Sequence, residues 1–317
     1  MKIFDCHSDT MADIRTKRLA GETDVLKNHH IPLYKKGDVG GMLYAIWTDP
    51  DLGSHQKTMF EIVTSAFEEF DNAGDVVGLA YNTRDIDRII KSGRTAIVLG
   101  IEGFDGFNGN LSLIHMMYHL GFRHAMLTWS NDNAFAAGVS HTGPGDGITE
   151  LGKKALTEME KLGMLVDVSH ASEKTFWDIC ENTTKPLIAS HSNAFSLCPA
   201  ARNLKDDQIK AIAERGGVVG MNSWGAFIDE KHPTVEKLAE HADYMVNLVG
   251  IDHVCCGFDF CGYLGDESSN ENQTPGIRDS GDCQNFIQAL EKRGYRTEDL
   301  EKIAYKNIFR VFDAVLK

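Results

Sequence analysis

The 317-residue sequence lacks any apolar run long enough to span a membrane, which takes about 20 consecutive apolar residues. Its start, Met1-Lys2-Ile3-Phe4, leads directly into a strand-like stretch without the apolar segment of a signal peptide. Basic residues are also few, 32 against 46 acidic ones, and the resulting net charge of −14 disfavours nucleic acids and anionic membranes as partners. These absences predict a soluble, cytoplasmic protein with no nucleic-acid or membrane partner.

Paired cysteines and nucleotide-binding glycine motifs are absent as well. The seven cysteines are odd in number and include no Cys-x-x-Cys pair, which predicts reduced thiols. No Gly-x-Gly-x-x-Gly follows the first apolar run, and the glycine-rich stretch 143–147 lacks the Lys-Ser/Thr of a phosphate-binding loop. A doubly wound nucleotide-binding sheet is therefore the weaker alternative for the fold. No linker or low-complexity tract interrupts the chain, so we expect a single domain over residues 1–317.

What the sequence does contain is a repeated unit, in which a short apolar run is followed by a polar turn and an amphipathic segment. Apolar runs that alternate with helical segments are typical of a parallel sheet covered by helices. Eight such units in one chain of this length predict an α/β fold, the (β/α)8 TIM barrel, with two further helices at the C-terminus. The predicted strands are 2–7, 40–47, 95–102, 124–129, 164–170, 187–191, 217–222 and 254–259. The predicted helices are 58–70, 84–91, 111–120, 150–162, 172–181, 205–214, 234–248, 280–293 and 297–316.

Side chains of metal-ligating type stand at the ends of five of the eight predicted strands. A barrel brings the carboxyl ends of all its strands to one rim, so these side chains should surround a common centre. Each of them alone could instead cap a helix or join an ion pair, but their recurrence at the same end of five strands favours a shared site. The residues are His7 and Asp9 after the first strand, Glu102, His170, His191 and Asp259.

Three histidines and two or three carboxylates are more than one zinc ion needs, because a catalytic zinc commonly has three protein ligands and an open position. The set divides into two centres that share a carboxylate. His7, Asp9 and Glu102 would form one centre, and Glu102, His170 and His191 the other. Two Zn²⁺ ions are therefore the predicted cofactors, with other divalent metals as alternatives.

The motifs around these positions also resemble those of the membrane dipeptidase (renal dipeptidase) family, peptidase family M19 of the amidohydrolase superfamily. The resemblance runs along the whole chain and implies a metal-dependent hydrolase barrel in which these five residues ligate two zinc ions. It further implies that Asp259 handles the proton and that Arg202 meets the carboxylate of the substrate. The matching segments are Asp5-Cys6-His7-Ser8-Asp9, Gly100-Ile101-Glu102-Gly103, Val166-Asp167-Val168-Ser169-His170, Ser190-His191-Ser192-Asn193-Ala194, Ala201-Arg202-Asn203-Leu204, Gly257-Phe258-Asp259-Phe260 and Asn307-Ile308-Phe309-Arg310-Val311-Phe312.

Two positions depart from the family's pattern. The family's better-known members have Leu-Thr-His after the fourth strand, where the histidine contacts substrate, whereas this chain has Leu127-Thr128-Trp129. The family's Asp-Phe-Asp-Gly is here Asp259-Phe260-Cys261-Gly262. An indole is bulkier than an imidazole and carries its one N–H elsewhere, so we expect Trp129 to narrow the substrate pocket and to favour small side chains at the scissile residue.

The predicted activity is hydrolysis of the amide bond of a dipeptide by a hydroxide that bridges the two metal ions, with Asp259 as the proton carrier. Arg202 should lie in the loop after the sixth predicted strand and clamp the substrate's free carboxylate, which would restrict the enzyme to dipeptides. The alternative for Arg202 is a surface ion pair with Asp206 or Asp207.

Other functions stay open at this point. An N-acyl amino-acid deacylase, a lactonase or a β-lactam hydrolase could use the same two metals, and a metal-binding barrel without activity is the non-enzymatic alternative. The sequence does not fix the preferred dipeptide, its stereochemistry or the oligomeric state, for which a homodimer is one option. We expect His30 and His241 to be solvated, and His141 to be an ordinary residue of the glycine-rich segment 130–147, which could cover the site.

Overall fold

The computed structural model describes residues 1–49, 53–142, 146–265 and 271–317, and it shows a nearly closed barrel of eight parallel strands surrounded by helices. The predicted fold class is confirmed. The strands are β1 (Ile3–Ser8), β2 (Val39–Ile46), β3 (Val77–Leu79), β4 (Thr95–Glu102), β5 (Phe122–Met126), β6 (Leu165–Asp167), β7 (Ile188–Ala189), β8 (Val218–Met221) and β9 (Val254–Cys256). Their order around the barrel is β1-β2-β4-β5-β6-β7-β8-β9.

Strand β3, which is additional to the eight strands of the ring, was not predicted. It pairs with the first half of β4, where Val77 lies opposite Thr95, and it stands outside the ring of eight. Val77 is buried and Gly78 and Leu79 are partly buried, within a short apolar run over 76–80 that was not identified as a strand. It extends the sheet at the amino end of β4 and so lies away from the rim that carries the predicted ligands.

Most strands end earlier than predicted, because the polar residues after them turn out of the sheet. The predicted strand 124–129 is β5, which ends at Met126, so Trp129 lies in the following loop. His170 and Asp259, expected at the ends of strands, have left-handed backbone angles with φ of 65° and 57°. An extended strand cannot continue through such a residue, so the strands end before His170 and Asp259.

The helices follow the strands around the barrel. All nine predicted helices are present to within a few residues, but three short ones were missed. The first, α1, buries only its first half, so its sequence shows no regular apolar period. The helices are α1 (Thr10–Leu19), α2 (Ile31–Lys36), α3 (His55–Asn72), α4 (Thr83–Lys91), α5 (Ser112–Leu120), α6 (Glu150–Leu162), α7 (Glu173–Asn182), α8 (Asp206–Glu214), α9 (Gly225–Ile228), α10 (Val235–Val249), α11 (Cys283–Lys292), α12 (Thr297–Glu301) and α13 (Asn307–Val315), with π-helical turns at Leu26–His30 and Lys302–Lys306.

The seam between β9 and β1 is closed by side chains, since no backbone ladder joins these two strands in the part of the chain described. The Phe258 N–H donates to the buried carboxylate of Asp5 at 2.8 Å, and the thiols of Cys6 and Cys255 lie 3.7 Å apart. Burial raises the pKa of Asp5 to about 7. All seven cysteines are free thiols, in agreement with the prediction. Among the described residues, no helix combines the length and apolarity needed to cross a membrane.

Candidate metal centre and substrate cavity

The six predicted site residues of ligating type meet at the carboxyl rim of the barrel. His7 lies within β1, Asp9 follows it directly, and Glu102 is the last residue of β4. His170 and His191 follow the short strands β6 and β7, and Asp259 follows β9. Asp9 occupies the N-cap position of α1, but its side chain makes no capping hydrogen bond and is free to turn towards the centre of the barrel.

Glu102 stands at the centre of this group, with only 3% of its surface exposed. Its Oε2 lies 3.2 Å from His7 Nε2. Its Oε1 lies 2.9 Å from His170 Nε2 and 3.5 Å from His191 Nε2. One carboxylate therefore faces two separate groups of nitrogen ligands, one with each oxygen.

Two aspartates complete the side of the site that contains His7. Asp9 Oδ1 and Asp259 Oδ1 each lie 3.7 Å from His7 Nε2. Asn222 donates a hydrogen bond of 3.0 Å to the other oxygen of Asp259, which fixes the orientation of that carboxylate. The Asp259 carboxylate thus faces the same group, and with His7 and His191 it forms a further set whose ligand-type atoms lie within 4.8 Å of one another.

Several atoms of the site are buried without a hydrogen-bond partner among the described residues, including both ring nitrogens of His7 and Asp9 Oδ1. The Nε2 atoms of His170 and His191 point at each other across 3.0 Å. Unpaired buried polar atoms are costly, and divalent cations would satisfy them. Two ligand sets, His7 with Asp9 and Glu102, and Glu102 with His170 and His191, each have their ligand atoms within 4.8 Å of one another. The donors are imidazole nitrogen and carboxylate oxygen, which suits zinc.

Electrostatics prepares the two far histidines for metal binding. Burial and the positive charges of Arg202 and His7 hold the pKa of His170 and of His191 well below the usual range. Both imidazoles are therefore neutral at pH 7, the form that ligates a metal. Burial raises the pKa of Glu102 to about 8, because in the absence of cations its charge is desolvated among other acids.

Hydrogen bonds behind the ligands fix the orientation of the rings. Ser130 Oγ lies 3.0 Å from His170 Nδ1, and Ser190 Oγ lies 2.8 Å from His191 Nδ1. The buried carboxylate of Asp167 accepts hydrogen bonds from the backbone N–H groups of Ser169 at 2.8 Å and Ser190 at 3.2 Å. Since these two residues directly precede His170 and His191, Asp167 positions both of the loops that carry these histidines.

Asp167 also binds His124 on β5, whose Nε2–H donates at 2.7 Å between two fully buried side chains. Burial alone would raise the pKa of Asp167, but the hydrogen bonds from His124, Ser190 and Ser169 together outweigh it and lower the pKa to about 2. Because this pKa lies below that of an unfolded aspartate, the pair stabilises the fold above about pH 4, and this stability is lost as the pH falls from about 4 to 2.

Asp167→Asn is expected to lower the free energy of unfolding by about 1.5–3 kcal/mol at pH 7, the range for a hydrogen bond to a charged group. Urea denaturation with a chelator present measures this without a contribution from bound metal. Asp75→Asn, which removes an exposed ion pair with Lys27, is the control and should leave stability nearly unchanged. Two results would contradict this role of Asp167. One is an equal loss of stability in the two variants, and the other is an Asp167→Asn protein that loses as much stability as the wild type when the pH falls from 4 to 2.

A cavity of about 320 Å³ opens over the carboxylates of Asp9, Glu102 and Asp259. Arg202, in the loop after β7, lies on its wall, donates from Nη2 to the His191 carbonyl at 3.2 Å and places its guanidinium 5.7 Å from the Phe227 ring. The alternative ion pairs with Asp206 or Asp207 do not form between these described residues, since the Asp206 carboxylate accepts bonds from Ser196 and Tyr244.

Trp129 also lines the cavity, with its ring 5.5 Å from that of Trp47 and 6.0 Å from that of His170. Several wall residues were not identified from the sequence. Trp47 and Trp224 follow the ends of β2 and β8, so the rule that located the ligands could have found them had it been applied to aromatic side chains. The missed wall residues are Trp47, Asp49, Ser130, Trp224, Phe227 and Leu264.

Two other histidines were predicted wrongly. His30 and His241 are both buried instead of solvated. His30 Nε2 bonds to the Asp13 carboxylate at 2.8 Å, and His241 bridges two loops by accepting from the Ala194 N–H at 3.1 Å and donating to the Ile228 carbonyl at 2.9 Å. His141 forms a hydrogen bond with Asp132. Residues 143–145 of its glycine-rich segment lie outside the described residues, so a covering role of the segment stays a prediction.

Comparison with known proteins adds independent findings. The sequence profile of the membrane dipeptidase family (peptidase family M19) matches residues 1–317. Dipeptidase tcpJ of Claviceps purpurea is 27% identical over 331 aligned positions that cover 99% of this chain and 75% of that protein. An uncharacterized protein in the pqqA 5′ region of Klebsiella pneumoniae is 36% identical over 249 positions, 75% of this chain and 88% of that protein.

Solved structures share the fold. A crystal structure of a dipeptidase described as a metallo peptidase of family M19 matches with a TM-score of 0.89 at 24% identity, over 100% of this chain and 99% of that one. A metallo peptidase from Rhodobacter sphaeroides, bound to a phosphinate mimic of the dipeptide L-Ala-D-Ala, matches with a TM-score of 0.89 at 23% identity over 99% of both chains.

Proposed function

Because the chain belongs to the membrane dipeptidase family, peptidase family M19, and is a metallo-dipeptidase, we propose that it cleaves free dipeptides with two zinc ions at the barrel rim. The observation that carries this proposal is the position of Glu102, whose two oxygens face His7 on one side and His170 and His191 on the other. A carboxylate in that position is the bridging ligand that a binuclear hydrolase requires.

The ligand sets are His7, Asp9 and Glu102 for one ion, and Glu102, His170 and His191 for the other. Zinc suits these donors, and other divalent ions are alternatives. When bound, the two ions supply a water of lowered pKa as the nucleophile and polarise the scissile carbonyl.

Asp259 is the proton carrier in this proposal. Its carboxylate lines the cavity beside the ligands but is not needed by either set, and Asn222 holds it in place. Burial raises its pKa to about 6, so it can accept a proton from the attacking water and return it to the leaving amine near neutral pH. Both transfers are then made by one carboxylate that stays within the cavity.

Arg202 recognises the carboxylate of the dipeptide. Its partly buried guanidinium lies on the wall of the cavity, and its buried Nε has no hydrogen-bond partner among the described residues. A planar guanidinium can bind a carboxylate with two parallel hydrogen bonds, which the ammonium of lysine cannot reproduce. A carboxylate bound there, one residue beyond the scissile bond, would admit dipeptides and exclude longer peptides.

Arg202→Lys is expected to lower kcat/KM for a dipeptide. The corresponding loss of transition-state stabilisation is about 1.5–3 kcal/mol, the range for a hydrogen bond to a charged group. The same substitution should change kcat/KM much less for the corresponding dipeptide amide, which has no carboxylate to bind. Steady-state kinetics on the acid and amide pair measures the difference. Equal losses on both substrates would show that Arg202 supports the loop and does not read the carboxylate.

Trp129 sets the width of the cavity. Its ring lies between Trp47 and His170 on the wall beside the ligands, so a large side chain at the scissile residue would meet the indole. Trp129→His is therefore expected to raise the rate on dipeptides with large first residues and to leave that on Ala-Ala less affected. An identical substrate profile of variant and wild type, measured over a series of dipeptides, would contradict this role.

Cleavage of dipeptides also separates this proposal from the other hydrolytic activities on the same metals. Among the described residues, no contact in the cavity favours an N-acyl amino acid, a lactone or a β-lactam over a free dipeptide. Assays of the purified protein on all four substrate classes rank them directly.

A cytoplasmic location without nucleic-acid or membrane partners, and a homodimer as an assembly, are further parts of the proposal. The net charge of −14 supports the absence of nucleic-acid and membrane partners.

A further inference from the structure

A second cavity, of about 280 Å³, lies beside the substrate cavity among the loops that follow β5, β6 and β7. Arg202 and His170 line both cavities, so their side chains separate the two spaces. The N-terminal ends of two helices border the second cavity through their N-cap residues, Ser172 for α7 and Lys205 for α8. The reaction proposed above does not use this space.

Two buried side chains on the wall of the second cavity have polar atoms without a partner. Ser192 is 2% exposed and Asn203 5%, and neither Ser192 Oγ nor Asn203 Oδ1 has a hydrogen-bond partner among the described residues. The amide nitrogen of Asn203 donates to the carbonyls of Cys198 and Phe227, both at 2.8 Å, so the unpaired atom is the carbonyl oxygen. Unpaired buried atoms are costly, and a bound molecule that reaches both would satisfy them.

The unpaired atoms on this wall require a ligand with both donors and acceptors. The buried Nε–H of Arg202 can only donate, the Ser192 hydroxyl can donate or accept, and Asn203 Oδ1 can only accept. The N-termini of α7 and α8 add the positive ends of their dipoles, which favour a negatively charged acceptor such as a carboxylate. The remaining acceptor, Asn203 Oδ1, then needs a donor on the same ligand.

The charges on the wall favour a ligand with no net charge. Apart from its histidines, the ionisable side chains of the wall are two cations and two anions, namely Arg202, Lys205, Asp146 and Glu173. Lys205 Nζ donates to the Glu173 carboxylate at 2.7 Å. A phosphate would face two carboxylates here, whereas a zwitterion offers its ammonium to the acceptors and its carboxylate to the donors.

We propose that the second cavity binds a free α-amino acid with an apolar side chain. Its carboxylate accepts from the Ser192 hydroxyl and from the Arg202 Nε–H. Its ammonium donates to Asn203 Oδ1, and its side chain packs against Val139 and Leu204. A volume of about 280 Å³ lies just below the range for drug-sized ligands, which suits so small a molecule. Amino acids are also the products of a dipeptidase, so the cavity adjoins their source.

An amino acid in the second cavity acts on the substrate through Arg202. It occupies the Nε–H, so fewer donors of the guanidinium remain for the carboxylate of a dipeptide, and KM rises. This consequence rests on the proposed role of Arg202 in the substrate cavity, whereas the binding of the amino acid does not.

The test measures the binding of L-leucine to the zinc-loaded full chain by isothermal titration calorimetry. Two analogues divide the ligand, since 4-methylpentanoate lacks the ammonium and 3-methylbutylamine lacks the carboxylate. Ser192→Ala removes a hydroxyl that has no partner among the described residues, and Val139→Phe fills the space. Ser196→Ala, in an exposed serine of the same loop that does not line the cavity, is the matched control.

We expect a leucine site that Ser192→Ala weakens at least about tenfold, since a hydrogen bond to a charged group contributes that much or more. Val139→Phe should abolish this site, Ser196→Ala should bind like the wild type, and both analogues should bind at least about tenfold more weakly than leucine. Steady-state kinetics should show that leucine raises KM for a dipeptide less in Val139→Phe than in the wild type.

Three results would overturn the amino-acid site. The first is a wild type that binds no leucine, which would leave water as the occupant of the cavity. The second is leucine binding that is unchanged in both Ser192→Ala and Val139→Phe, and the third is 4-methylpentanoate that binds as tightly as leucine. A leucine site without any rise in KM would support the second cavity and would count against Arg202 as the group that binds the substrate's carboxylate.

Discussion

Asp259→Asn is expected to lower kcat by about 10²–10⁴-fold, the usual contribution of a positioned general acid or base, while both metal ions stay bound. The amide of asparagine has nearly the volume of the carboxylate and can still contact Asn222, but it cannot accept a proton at neutral pH. Steady-state kinetics together with elemental analysis of the purified variant measures the two quantities separately. KM should change much less than kcat, because the lost interaction belongs to the transition state.

Asp105→Asn is the matched control for this substitution. Burial raises the pKa of Asp105 as well, but its carboxylate accepts a bond from Asn133 and does not line the cavity. Its kcat should stay near the wild-type value. An unchanged kcat in Asp259→Asn would assign the proton transfers to another group, and a variant that has lost metal would show that Asp259 is a ligand.

Glu102→Gln is expected to lower activity at least about 10³-fold, with fewer than two ions bound per chain. One oxygen of the bridging carboxylate becomes an NH₂ group, which cannot ligate, so one of the two centres loses a ligand. A bound metal supplies several kcal/mol of transition-state stabilisation, and each 1.36 kcal/mol corresponds to a factor of ten in rate. Elemental analysis and kcat/KM on the same preparation test both parts of the expectation.

The control for Glu102 is Glu69→Gln, in a buried glutamate on α3 that accepts bonds from the Leu26 N–H and from Arg18. This variant should lose stability but keep its metal and its kcat when folded. A Glu102→Gln protein that still binds two ions and retains activity would show that the carboxylate does not bridge the centres.

The meeting of these histidines and acids at one rim could be predicted because their chemistry is distinctive and their place in the chain is regular. Histidines and acids that directly follow apolar runs, such as Glu102 at the end of β4, all lie at the same rim of a barrel. A shared site explains this recurrence better than separate structural roles do. The bounds of β4 were predicted without error, because every residue of this strand is buried and its apolar run, residues 96–101, is flanked directly by the polar Thr95 and Glu102. Distances such as the 3.2 Å between Glu102 and His7 could not be predicted, since they depend on how neighbouring strands pack.

The walls of the cavity were much less accessible from the sequence. Trp47 and Trp224 follow the ends of strands and could have been sought there, but Phe227 is a residue type that belongs equally to a core, and only the folded chain shows that it faces the cavity. His30 reads as a polar surface residue until Asp13, seventeen positions earlier, is brought to within 2.8 Å of its ring. In each case the long-range partner decides the environment, and a local pattern does not contain it.

The most direct test of the account is a zinc titration of the metal-free chain, with activity on a dipeptide and bound zinc measured at every step. The geometry around Glu102 predicts that chelation abolishes activity, that zinc restores it, and that activity reaches its maximum at two ions per chain. A metal-free chain that hydrolyses dipeptides at the full rate, or full activity with a single ion bound, would contradict it.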